Sequence, residues 1–105
     1  SKAFGAEVNI NIKDGYPPTI NHQKNSSFAY EVAKKVVGIK ASPKQSPMMG
    51  SEDFSYFLQK VPGAFAWIGN GKSAALHNPK YDFNDNLLPI GVNFWVDLVK
   101  SFFAK

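Results

Sequence analysis

Residues 76–85 read LHNPKYDFND, a histidine followed by a proline turn, two aromatic residues and two carboxylates. A neutral imidazole on such a turn offers a lone pair near physiological pH, so His77 has the chemistry of a metal ligand or a proton carrier. Asp82 and Asp85 can orient that imidazole or add ligands, or they can serve a turn and a helix cap instead. One histidine does not hold a catalytic metal, because zinc takes three or four protein ligands. His22, just after Pro-Pro-Thr-Ile-Asn in a connecting stretch, reads as structural.

A second candidate lies at MGSEDFSYF, residues 49–57, where a glycine turn runs into a helix start. Amides after Gly50 and Ser51 can point at an anion such as a substrate carboxylate, although Glu52 and Asp53 already bring negative charge to the same place. A self-capped helix is the plainer alternative. Met48 and Met49 are flexible enough to line an apolar pocket and equally suited to filling a core. No Ser-His-Asp order, P-loop or dinucleotide glycine fingerprint is present.

The elements that must position these residues follow from periodicity. Val8, Ile10 and Ile12 alternate with Asn9, Asn11 and Lys13, which predicts a strand over 6–13, ended by Asp14-Gly15 and Pro17-Pro18. Phe28/Ala29, Val32/Ala33 and Val36/Val37 predict a helix over 25–38, capped by Asn25 or Ser26, closed by Gly38, and carrying a Glu31–Lys35 pair. Residues 39–50 read as a short extended piece and a loop. Ser51 reads as the cap of a second helix that buries Phe54, Phe57, Leu58 and Val61 and ends at Pro62-Gly63.

The apolar run AFAWIG, 64–69, suits a central strand, closed by Gly69, Asn70 and Gly71. Asp85 or Asn86 can cap a final helix that buries Leu88, Val92, Trp95, Leu98/Val99 and Phe102 and runs nearly to Lys105. The expected fold is therefore α/β, a partial layered sheet-and-helix domain. Its first strand would form an exposed edge, an opening for self-association.

Composition narrows the function. With 105 residues, 44% of them hydrophobic, the chain has the length of one domain, which typically buries roughly two thirds of its unfolded surface. All basic residues are lysine, and they are scattered rather than clustered, which argues against a nucleic-acid partner despite the net charge of +4. There is no cysteine, hence no disulfide and no thiolate chemistry, and a cytoplasmic location is compatible. Pro89, Gly91, Asn93 and Asp97 interrupt the longest apolar stretch, so no membrane span is expected.

The succession GYPPTIN (15–21), MGSEDFSYF (49–57), PGAFAWIGNG (62–71) and LHNPKYDFND (76–85), followed by LLPIG, resembles the C-terminal part of the metal-dependent aminoacylase and carboxypeptidase family. The nearest branch is that of hippurate hydrolase, N-acyl-amino-acid amidohydrolase and the indole-acetyl-amino-acid amidohydrolases. By this resemblance, residues 1–13 correspond to the last strand of a lid or dimerisation domain, and residues 14–105 to the closing segment of a zinc-peptidase-like catalytic domain. The resemblance implies a two-metal centre of zinc, manganese or a similar ion, and an N-acyl amino acid substrate. His77 matches the late metal-binding histidine, and Met49, Gly50 and Ser51 fall where such enzymes shape the substrate pocket. The family's upstream metal-binding segment and its Glu-Glu pair are absent, so no catalytic residue is assigned here and the isolated chain is expected to be inactive.

Overall fold

The apolar spacing that begins at Phe28 does produce a helix. In the computed structural model, which describes residues 2–104, α1 spans Gln23–Val37. Val32 is its one fully buried residue, 1% exposed, and Phe28, Ala29, Ala33, Val36 and Val37 are half-buried around it. It starts two residues before the expected cap, so Asn25 lies inside the first turn and reaches the Pro62 carbonyl at 3.4 Å, and His22, in the cap position, turns its Nδ1 to Gly63 and leaves the start without a side-chain cap. The ion pair on the outer face is Glu31–Lys34 at 3.1 Å rather than Glu31–Lys35. Gly38, at φ 59, ends the helix, and a 3-10 turn over Gly38–Lys40 follows. A left-handed residue there favours glycine, which carries no Cβ to clash.

The second helix, α2, spans Phe54–Lys60, starting three residues after the expected cap. Glu52 performs the capping that Ser51 was expected to do, its Oε1 accepting the Phe54 N–H at 3.2 Å. The buried face is Ser55 and Leu58, with Phe54 half-buried, while Phe57 and Val61 are exposed.

The last helix, α3, spans Leu87–Phe103, and Lys105 lies outside the described residues. Pro89 is harmless there, since first-turn amides have no intrahelical acceptor to lose. Helix α3 packs on α1, and Phe28 meets Phe102 edge to face at 6.4 Å. Only part of the expected stripe docks: Leu98 is half-buried and Phe102 meets Phe28, but Leu88, Val92, Trp95 and Val99 are exposed, and the other half-buried apolar positions are Leu87, Ile90, Gly91 and Phe94.

Expectation and structure part company at the sheet. No strand exists among the described residues, so the chain is not an α/β layered sheet-and-helix domain. A strand is defined by a partner, and period-two alternation supplies only half of it. Val8, Ile10 and Ile12 keep their alternation but are 63 to 84% exposed, with no ladder beside them. With no strand there, the reading of an edge open to self-association loses its structural basis.

The run 64–69 also lacks a ladder, and is held from residues 21–22, at Gly63 just before it and at Phe65 within it. His22 N–H donates to the Gly63 carbonyl at 3.0 Å, and the Gly63 N–H donates to His22 Nδ1 at 3.1 Å. Asn21 makes the equivalent pair of bonds to Phe65 with its side-chain amide alone. Phe65 then stands between Phe54 of α2, 5.7 Å away, and Trp67 at 5.4 Å. Ile68 reaches the backbone of α3 at Gly91. This run is thus the seam that ties α2, through Phe54, and α3, through Ile68, to residues 21–22 just ahead of α1.

The chain exposes 9588 Å². A self-contained protein of this mass exposes about 5,800 Å², and an unfolded chain about 16,800 Å², so roughly two fifths of the surface is buried rather than the expected two thirds. The radius of gyration is 19.5 Å, against about 13 Å for a compact domain of this length. Among the described residues, only Val32 and Leu58 are buried hydrophobics. Among the described residues, no helix is long and apolar enough to cross a membrane.

Candidate functional site

Two consecutive turns carry His77. The Asn78 N–H donates to the Ala75 carbonyl at 3.0 Å, and His77 occupies the third position of that turn at φ 68, the sole non-glycine residue with positive φ among the described residues. A turn with only this position left-handed is type II, where glycine is preferred. In the next turn, the Tyr81 N–H bonds the Asn78 carbonyl at 2.9 Å, Pro79 supplies the pre-set φ, and Asn78 Oδ1 accepts the Lys80 N–H at 2.9 Å. The ring of His77 is exposed, and among the described residues neither of its nitrogens is hydrogen-bonded.

The two aspartates do not join it. Asp82 contributes its backbone carbonyl to Asn70, and the Asp85 carbonyl accepts the Leu88 N–H at the start of α3. Among the described residues, no three His, Cys, Asp or Glu side chains gather into a metal-holding group. The other histidine, His22, has its Nδ1 committed to Gly63. The donor set therefore fits one ligand of a metal site, the exposed imidazole of His77, and not a complete sphere.

Met49, Gly50 and Ser51 are exposed, and they line neither of the clefts near the His77 loop. The helix that follows them is a single short element already capped by Glu52, so their amides form no ready anion cradle. One cleft, open and polar, has a volume of about 420 Å³ and is lined by Asn70, Lys72, Ser73, Lys80, Asp82 and Asp85 among others. A smaller apolar one of about 280 Å³ runs between Ile68, Tyr81, Phe83, Leu87 and Val92. Asn70 borders both, a residue that sequence reasoning treated only as the end of a strand. Its signal was its place between Gly69 and Gly71, where a lone polar side chain has room to turn inward.

Residues 5–101 match the family described as Peptidase family M20/M25/M40. The chain belongs to that family. It is 32% identical over 98 residues to IAA-amino acid hydrolase ILR1-like 4 of Arabidopsis thaliana, covering 89% of this chain and 22% of that protein. It is 34% identical over 103 residues to the hippurate hydrolase of Campylobacter jejuni, covering 97% and 27% respectively. With N-acetyldiaminopimelate deacetylase of Streptococcus thermophilus it shares 38% identity over 97 residues, 87% of this chain and 24% of the relative. The chain thus spans about a quarter of the length of the curated relatives it matches. No solved structure gives a significant match.

Proposed function

We propose that this chain is one part, the C-terminal portion, of a metal-dependent amidohydrolase that cleaves the amide of N-acyl amino acids. Its contribution is His77 as a single metal ligand and, at Met49, Gly50 and Ser51, a share of the substrate pocket. The observation that carries the reading is the exposed imidazole of His77 held at φ 68 on a doubly hydrogen-bonded turn. A left-handed histidine costs about 1–2 kcal/mol over glycine, a cost with no packing return here, since the side chain faces solvent.

Two further observations support it. The family match spans residues 5–101, and relatives are named for hydrolysing IAA-amino acids and hippurate and for deacetylating N-acetyldiaminopimelate. The surface accounting agrees, because an excess of about 3,700 Å² over a self-contained protein is the area of an obligate interface or of a domain core cut open. The division at residue 13 between lid and catalytic portions, and a cytoplasmic location, belong to the same proposal.

A divalent ion bound in such a hydrolase polarises the scissile carbonyl and lowers the pKa of an attacking water. The role of this chain is to present one neutral imidazole nitrogen at a fixed point while the other ligands and the general base come from elsewhere. The decisive experiment measures bound metal in the polypeptide carrying this segment together with its upstream portion. His77→Ala lowers metal affinity there by tenfold or more, and unchanged metal content would overturn the assignment.

A further inference from the structure

The loop that bears His77 is closed at its base by one side chain. Asn70 is half-buried, and Nδ2 donates to the Asp82 carbonyl at 2.7 Å and to Ser73 Oγ at 2.9 Å, while Oδ1 accepts the Asn84 N–H at 2.8 Å. The amide can sit only one way round, since reversal would face oxygen to oxygen at Asp82 and donor to donor at Asn84. Ser73 passes the constraint onward by donating to the Ala74 carbonyl at 3.0 Å. A single planar group therefore fixes the outgoing limb at residue 73 and the returning limb at residues 82 and 84, with both turns of the His77 loop between them.

We infer that Asn70 is the positioning residue for the His77 imidazole. The inference rests on the reading of His77 as a metal ligand. Ligands from separate stretches of chain must meet within about 0.5 Å of the productive geometry, and an exposed loop has no packing to hold it there. The turns fix the shape of residues 75–81 internally. Asn70 fixes where that shape stands relative to α3 and the 64–69 seam.

The discriminating variant is Asn70→Asp, which keeps the size and the acceptor for Asn84 but has no donor for Asp82 or Ser73. Ser73→Ala removes one of the three bonds and is the milder companion. Both are made in the metal-free enzyme carrying this segment and titrated with Zn²⁺ and with Co²⁺, whose d–d absorption reports ligand geometry. Asn70→Asp lowers affinity for both ions about 10- to 100-fold and shifts the Co²⁺ spectrum at saturation, Ser73→Ala does so by less, and the melting temperature of the metal-free protein falls in both without reaching the temperature of the titration, so that the spectrum is read on folded protein. Native affinity with an unaltered spectrum overturns the inference, as does a loss that only tracks a lower melting temperature. His77→Ala separates the two claims. Retained affinity in that variant removes the ligand reading and this inference with it, whereas lost affinity there beside native behaviour in Asn70→Asp removes the positioning role alone.

Discussion

Asn21 grips both polar groups of Phe65, its Oδ1 accepting the N–H at 2.7 Å and its Nδ2 donating to the carbonyl at 2.8 Å, across 44 positions of sequence. A side-chain amide here does what the backbone of an adjacent strand would do, and it binds the start of α1 to the seam. Asn21→Ala leaves both Phe65 groups to solvent and costs about 1–2 kcal/mol, two ordinary hydrogen bonds at an exposed site. Amide hydrogen exchange checks it: the Phe65 N–H loses protection while amides in the middle of α3 keep theirs.

The turn at His77 gives a prediction of opposite sign. His77→Gly relieves the left-handed strain but loosens the unfolded chain, and the melting temperature stays equal or rises slightly. His77→Val places a branched Cβ at the same φ and lowers stability by about 1–2 kcal/mol. Thermal unfolding followed by circular dichroism separates the two variants, and equal losses in both would show that φ is not what sets the cost.

Ser55 is 0% exposed, and among the described residues its Oγ has no hydrogen-bond partner. Burying a hydroxyl unpaired is unfavourable, so Ser55→Ala is expected to stabilise the protein by about 1 kcal/mol. A rise in the denaturation midpoint at constant slope is the readout.

Gly91 and Gly63 should respond in opposite directions. Gly91 lies inside α3, and a Cβ there meets only Ile68 Cδ1 at 3.8 Å, an ordinary contact, so Gly91→Ala gains about 1 kcal/mol of helix propensity. A Cβ on Gly63 falls 3.2 Å from Cδ2 of Leu58, itself only 6% exposed, and so Gly63→Ala displaces that buried side chain and lowers stability. Melting temperatures of the two alanine variants, moving up and down respectively, test both statements.

The helices were legible because their cause is local. Phe28, Val32 and Val36 fall on one stripe whatever surrounds them, and α1 forms there. The docking face of α3 was legible only at Leu98 and Phe102, since Leu87, Ile90 and Phe94 make as good an apolar stripe as Leu88, Val92 and Trp95, and only the position of α1 chooses between them. The strands expected over 6–13 and 64–69 failed for a related reason: alternation is encoded in the segment, but pairing requires a neighbour that this chain does not supply. At the site, the Asn78-Pro79 turn could be read from its residues, whereas the sign of φ at His77 and the reach of Asn70 to Asp82 and Asn84 depend on how the loop closes.

The apolar side of α3 that faces away from α1 sets the fate of any copy in which nothing covers it. Trp95, Phe103 and their neighbours would then present the signal that holdase chaperones and quality-control proteases recognise, so cellular abundance should follow that of whatever polypeptide shields them.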